Sequence, residues 1–143
     1  MAQSVLAAID LAHEDVMDQI LLRAKQLADL DRAGLAVVTV IPDFGMSIIG
    51  SFFDQDVMDK ARQTARERLH EFTARMLGDV ASKVQHIVAS GNAYEEIIGT
   101  SEQIDADLIV LGAHSPELKD YLLGPNAARV VRHSKCSVYV VRH

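Results

Sequence analysis

The stretch GAHSPELKDYLLGPN, residues 112–126, combines glycines and polar side chains in a spacing that could hold an anion. Gly112 follows the apolar run LIVL, and a residue without a side chain there lets a ligand approach the backbone closely. Gly124 precedes the helical pattern NAARVV, and the first N–H groups of a helix carry partial positive charge. The spacing therefore fits either a phosphate-binding loop at a helix start or glycines that only form turns between two buried elements.

Three residues near these glycines help to decide whether the stretch binds a phosphate or only forms turns. Pro125 is a normal helix opener, but it supplies no N–H to an anion. Asn126 can supply its side-chain amide and its own N–H at the same end. His114 would lie inside the loop itself, although no base, orienting group and nucleophile can be assembled around it.

Outside this stretch, the candidate with a chemical role is Asp10, which ends the first apolar run, VLAAI. Its carboxylate could accept a ribose hydroxyl or an exocyclic amine, or it could only cap the turn that follows. His13, His70 and His86 are expected at the surface, because none has metal-ligand spacing to a cysteine or a carboxylate pair.

Composition limits the classes of function. The chain has 143 residues, 49% of them hydrophobic, which indicates one globular domain over residues 1–143. A net charge of -6 leaves no basic stripe, so nucleic acid is not an expected partner. No run approaches the roughly 18 apolar residues of a membrane span. The start MAQSVLAAIDLAHED has no basic signal region, and Cys136 is the single cysteine, which together indicate a cytoplasmic protein.

Apolar runs and helical stripes alternate along the chain. Met17, Ile20, Leu21, Ala24, Leu27 and Ala28 form one stripe, which Gly34 is expected to end. Met58 to Met76 carries a second stripe, ending at Gly78, and its charged face is expected to be solvated surface. A third helix carries Tyr94, Ile97, Ile98 and Ile104, and a short one covers Asn126 to His133. The predicted strands are Val5 to Ile9, Leu35 to Ile41, Val84 to Ala89, Asp107 to Leu111 and Ser137 to Val141.

This alternation predicts an α/β fold, with an open, mostly parallel sheet covered by helices on both faces. Ligands of such sheets bind beyond the carboxyl ends of the strands, where the strand order reverses. Those ends are Asp10, residues 40–42, residues 90–91 and Gly112. The connection over residues 43–56, DFGMSIIGSFFDQD, is apolar enough to be a lid, a subunit contact or a segment folded onto the core.

Three segments carry a specific resemblance: SVLAAID, VVTVIP and GAHSPELKDYLLGPNAARVVRHSKCSVYVVRH. Together they resemble the universal stress protein family from the first strand to the last residue. The C-terminal part is similar to a small bacterial subgroup that reads YLLGSNAAxVVRHxxCSVxVVR. The resemblance implies a single doubly wound sheet of five parallel strands, a Rossmann-like fold of the adenine nucleotide alpha hydrolase type. It also implies a homodimer and, in many members, bound ATP.

Nucleotide-binding members carry G-x-x-G, nine residues, then G-[S/T]. On this pattern Gly112 and Gly124 match, Ser115 replaces the second glycine, and Pro125 replaces the hydroxyl residue. The interval is eight residues, as in the subgroup. Ser115 can still donate from its N–H and hydroxyl, whereas Pro125 removes a backbone donor and a hydroxyl together.

The resemblance also implies that Asp10 faces the adenine and ribose and that the backbone of Val40 pairs with the adenine edge. The implied ligand is ATP, with Mg²⁺ as a companion ion and with ADP or AMP as alternatives. The residues predicted to bind it are Ala8, Asp10, Val40, Leu111, Gly112, His114, Ser115, Gly124, Pro125 and Asn126.

Two related functions do not fit the residues. A response-regulator receiver needs an acidic pair after the first strand and a phospho-accepting Asp after a central one, and here Asp10 stands singly and LIVL runs into Gly112. Enzymes of related folds that activate substrates with ATP carry SGGxDS-type or HIGH-type motifs, where this chain has DLAHED. A catalyst is therefore not expected, although slow ATP hydrolysis is compatible with the residues.

The last predicted strand, SVYVV, has no proline to block an exposed edge, and in the family this strand commonly forms the dimer contact. We expect a homodimer through Ser137 to Val141, with Cys136 before it as a buried small hydrophobe. Two hypotheses stay open. One is an ATP-responsive regulator in the stress response, and the other is a nucleotide-free dimeric interaction module whose pocket Pro125 and Ser115 disable.

Overall fold

The computed structural model describes residues 3–42, 55–113 and 125–142. Five parallel strands form one sheet in the order β3-β2-β1-β4-β5. Their bounds are β1 Ser4–Ala8, β2 Gly34–Pro42, β3 Gln85–Gly91, β4 Leu108–Gly112 and β5 Ser137–Val141. The predicted doubly wound parallel sheet is confirmed, with each strand within two residues of its predicted bounds and β5 matching at both ends.

Four α-helices lie within the described ranges: α1 Glu14–Leu30, α2 Gln55–Leu77, α3 Ala93–Gln103 and α4 Pro125–His133. Short 3-10 turns at Leu11–His13 and Gly78–Lys83 precede α1 and follow α2. In the described part of the chain, no helix is long and apolar enough to cross a membrane.

The helices cover both faces of the sheet because strand side chains alternate in direction. On one face, Val5 and Ala7 of β1 belong to a cluster with the buried residues of α1 and α2, including Ile20 and Phe72. On the other face, Leu6 packs in a second cluster with buried residues of α3 and α4. Strand β1 is therefore apolar on both sides, as a buried parallel strand must be.

The prediction that Gly34 ends the first helix is wrong. Helix α1 ends at Leu30, and Arg32 takes the left-handed position with φ 54°. The Arg32 N–H donates to Asp29 O at 3.2 Å and the Ala33 N–H donates to Ala28 O at 2.7 Å, which is the Schellman arrangement. Gly34 is left free to begin β2. Gly78, by contrast, follows α2 with φ 65°, as predicted.

The strand order reverses between β1 and β4. Strands β2 and β3 lie on one side of β1, while β4 and β5 lie on the other. Residues after the carboxyl ends of β1 and β4 therefore flank the switch point of the sheet, where ligands of this fold class bind. Strands β3 and β5 form the two edges.

Candidate functional site

Asp10 and Gly112 flank the switch point. Asp10 follows β1 by two residues, and Gly112 is the last residue of β4, the strand paired directly with β1. The sequence placed both at strand ends, and the sheet order brings these two ends together. Val40, near the end of β2, lies on the opposite side of β1, because β2 pairs with β1 on its other edge.

The carboxylate of Asp10 makes two local contacts. Its Oδ1 accepts the Ala12 N–H at 3.0 Å, and its Oδ2 lies 2.9 Å from Nδ1 of His13. The first contact caps the 3-10 turn over Leu11–His13. The side chain of Asp10 nevertheless stays 56% exposed, so its oxygens can also reach a ligand above the strand end. Capping and ligand binding are compatible in this geometry.

Gly112 is held by packing as well as by its position. A Cβ built on it would lie 3.0 Å from Cδ1 of Ile20 in α1, closer than nearly all real contacts. The next residue, Ala113, is fully buried and donates its N–H to Val141 O at 2.9 Å. Because Ile20 closes one side, a larger residue at position 112 would have to displace it. Because position 112 has no side chain, a ligand can approach the backbone at the end of β4 closely.

The remaining predicted residues on the strands offer backbone rather than side chains. Ala8, Val40 and Leu111 all pack in the cluster on the α3 and α4 face. Leu111 is 5% exposed, so its side chain is committed to the core. Any contact that these residues make with a ligand would therefore use their N–H and C=O groups.

Helix α4 begins at Pro125, with Asn126 as its second residue, and both are exposed. The buried residues of the helix, Ala127 and Val130, fix it against the sheet. Its first turn thus starts with a residue that has no N–H, as the sequence indicated. His114, Ser115 and Gly124 lie outside the described residues, as does most of the apolar connection over residues 43–56.

A cleft of about 510 Å³ opens beside the end of β2. The 3-10 turn forms one wall, the end of β2 forms the floor, and α2 forms the opposite wall. Its apolar lining includes Leu11, Ala12, Val40, Ile41, Ala61 and Ala65. Its described polar lining consists of Thr39, Lys60, Thr64 and Arg68. This mixture of apolar surface and a few polar groups is typical of a small-molecule site.

Arg68 ties the two walls of this cleft together. Its Nη2 donates to Leu11 O at 2.7 Å and to Oε2 of Glu14 at 2.7 Å. Arg75 adds a second contact, from Nη2 to Oε1 of Glu14 at 3.0 Å. The hydrogen bonds from Arg68 and Arg75 hold the pKa of Glu14 below its ordinary value. The carboxylate therefore stays charged and keeps α2 docked on the start of α1.

Lys60, Thr64 and Arg68 were not among the predicted site residues. The charged face of α2 was expected to be solvated surface, and Lys60, Arg66 and Arg68 are indeed exposed. The four-residue spacing of Lys60, Thr64 and Arg68 puts them on one face, which is the signal that could have found them. The spacing alone does not indicate that a cleft lies under that face of the helix.

Other candidates have structural roles. Within the described ranges, no group of three histidines, cysteines or acidic residues is placed to hold a metal ion. His70 and His86, expected at the surface, stack with ring centroids 3.7 Å apart, and His86 is half-buried. Cys136 is half-buried rather than buried, with its Sγ 3.3 Å from Oγ of Ser134.

Comparison with known proteins gives a consistent result. The Universal stress protein family matches residues 1–142. Universal stress protein G of Shigella flexneri is 28% identical over 145 residues, covering 99% of this chain and all of that protein. The structure of MJ0577, from Methanocaldococcus jannaschii, aligns with a TM-score of 0.80 at 22% identity, covering 100% and 97% of the two chains. A universal stress protein in complex with cAMP aligns with a TM-score of 0.67 at 22% identity, covering 99% and 97%.

Proposed function

The chain belongs to the universal stress protein family, and we propose that it is an ATP-binding, non-catalytic regulator of the stress response in the cytoplasm. Nucleotide occupancy would change the surface offered to a protein partner. This proposal extends the family assignment to a specific ligand and mode of action.

The observation that carries the proposal is the placement of Asp10 and Gly112 at the switch point. Parallel α/β sheets bind nucleotides at this position, with phosphates at a helix N-terminus and the ribose near a carboxylate. Here the exposed carboxylate follows β1, the glycine ends β4, and helix α4 begins at Pro125. The neighbouring cleft, of about 510 Å³, falls within the range of roughly 300–1,000 Å³ for small-molecule sites.

The residues present fit an adenine nucleotide in its polar and apolar parts. Apolar side chains such as Ala61 and Ala65 line the cleft and suit the flat face of a base. The complex of a family relative with cAMP supports a nucleotide as the class of ligand. We propose ATP, with ADP and AMP as weaker ligands. Mg²⁺ would arrive with the phosphates, because the described residues include no cluster of three metal-ligating side chains.

We propose binding rather than turnover as the function. Two described carboxylates that follow β1 are engaged locally, Asp10 with Ala12 and His13, and Glu14 with Arg68 and Arg75. Neither forms a set of nucleophile, base and orienting group in the described residues. A regulator that senses ATP needs only a difference in affinity between two conformations.

The proposed assembly is a homodimer through β5. This strand, Ser137–Val141, lies at one edge of the sheet and pairs with β4 on its inner side. Tyr139 is 38% exposed on it, and unpaired edge strands favour pairing with another chain. A second copy related by a two-fold axis would cover the edge of both chains at once.

Isothermal titration of the nucleotide-stripped protein with Mg-ATP, ADP and AMP tests the proposal. Affinity that weakens as phosphates are removed supports a cradle at α4. Gly124→Val should abolish that binding by its bulk and leave the dimer intact, which separates loss of the site from loss of the fold. No heat, together with no shift in melting temperature, would favour the other hypothesis, a nucleotide-free interaction module.

A further inference from the structure

Helix α2 presents three polar side chains to the cleft at intervals of four residues. Lys60, Thr64 and Arg68 lie on one face, and the step of eight positions from the first to the last spans about 12 Å of helix. Together they run along the whole wall opposite the 3-10 turn. A ligand in the cleft therefore meets this row of donors on one side.

The three side chains are not equivalent. Arg68 already donates to Leu11 O and to Glu14, so its charge is neutralised and its role is to join the walls. Lys60 takes part in none of the ion pairs formed among the described residues. The described lining contains no carboxylate, although the whole chain has a net charge of -6. Among the described lining residues, Lys60 is thus a cation without a counter-ion.

The position of the cleft decides which part of a nucleotide these groups can reach. Its floor is formed by Thr39, Val40 and Ile41 of β2, on one side of β1. The glycine and the start of α4, proposed for the phosphates, belong to the other side of β1, where β4 lies. Donors on α2 are therefore separated from the phosphates by a strand and face the base and ribose.

We propose that Lys60 and Thr64 are specificity-determining residues that bind the nucleoside part of the ligand. The Lys60 ammonium and the Thr64 hydroxyl donate to acceptor atoms of the purine ring or ribose, while Ala61 and Ala65, the residues that directly follow them, contact the base. The inference rests on the proposed nucleotide function and adds the nucleoside end of the same site. It predicts an affinity contribution that does not depend on the number of phosphates.

The test compares Lys60→Met and Thr64→Val by calorimetric titration with adenosine, AMP and ATP. Salt of about 0.5 M screens long-range attraction between the lysine and the phosphates. Loss of a charged donor should weaken binding about tenfold for Lys60→Met, by the same factor for all three ligands. Thr64→Val should weaken binding by a smaller, equally constant factor, because its hydroxyl is neutral.

Lys83→Met is the matched control, since Lys83 lies in the turn before β3, at the amino end of the sheet, and should leave all affinities unchanged. A loss that grows with phosphate number would overturn the proposal and assign Lys60 to the phosphates. Unchanged affinity in both variants would overturn it as well. Failure of the wild-type protein to bind any of the three ligands would instead remove the proposed function itself.

Discussion

Nε2 of His86 on β3 lies 2.6 Å from the hydroxyl oxygen of Thr73, a fully buried residue of α2. The Thr73 hydroxyl also lies 3.1 Å from His70 O, to which it can donate. The direction of the bond between Nε2 and this hydroxyl is set by the tautomer of the His86 ring. This contact joins an edge strand to α2, the helix that also forms a wall of the cleft.

The stability of the fold should fall as the pH drops below neutral because of His86. Burial is the largest cause that lowers the pKa of His86, and repulsion from the stacked His70 and from Arg66 adds to it, while the Val84 carbonyl acts in the opposite direction. The unfolded chain then binds a proton more readily than the folded chain. The free energy of unfolding should decrease as pH falls from the ordinary histidine value, near 6.5, through the lower folded pKa.

His86→Gln tests this directly, because a glutamine amide can donate to or accept from the Thr73 hydroxyl without titrating. Urea unfolding should give similar stability for both proteins at pH 8 and a shallower decline for the variant between pH 7 and 5. A decline of equal slope in the two proteins would show that His86 does not carry the effect. A variant already much weaker at pH 8 would show that the hydrogen bond was not replaced.

Two variants of Asp10 separate its capping contact from a ligand contact. Asp10→Asn keeps an oxygen for the Ala12 N–H, so its stability should stay within about 0.5 kcal/mol of the wild type. Asp10→Ala removes the cap and should cost about 1 kcal/mol. If the charge of Asp10 also binds the nucleotide, both variants should bind ATP several-fold more weakly.

Thermal unfolding and ATP titration, run in parallel on both variants, provide the readout. Wild-type affinity in Asp10→Asn, with reduced stability only in Asp10→Ala, would make this residue a cap alone. His13 bonds the same carboxylate and lies in the turn that the cap closes, so chemical shifts of the His13 ring report whether the turn survives.

The fold could be predicted from the sequence because apolar runs and helical stripes alternate without ambiguity. The end of α1 could not be predicted, because Arg32 adopts the left-handed conformation that is usually found at glycine. The Schellman hydrogen bonds to Asp29 and Ala28 stabilise that conformation, and neighbouring residue types do not encode it. Gly34, two residues later, was the natural but wrong choice.

The residues of the candidate site could likewise be predicted from the sequence only in part. Asp10 and Gly112 could be placed because strand ends of a parallel sheet meet at one edge. Lys60 and Thr64 could not be assigned to a cleft, because its width depends on contacts distant in sequence. Arg68 reaches Leu11, 57 residues away, and Glu14, 54 residues away, and those contacts set how α2 lies against the sheet.

Pro125→Ser should strengthen ATP binding. Proline at the first position of α4 contributes neither an N–H nor a hydroxyl to an anion at this helix end. Serine restores both, and one added hydrogen bond to a charged phosphate should raise the affinity about tenfold or more. Adenosine, which has no phosphate, is the internal control and should bind both proteins equally. Equal ATP affinities would place the phosphates away from α4.

Tyr139→Lys should convert the proposed dimer into a monomer. Tyr139 lies in the middle of the edge strand β5, and a lysine on an edge strand opposes pairing with a second strand. Leu30→Lys is the matched control, because Leu30 is 78% exposed at the end of α1, away from β5. Size-exclusion chromatography with light scattering at micromolar concentration should give twice the chain mass for the wild type and the control, and the chain mass for Tyr139→Lys. A wild-type monomer, or a Tyr139→Lys dimer, would show that the two chains do not meet through β5.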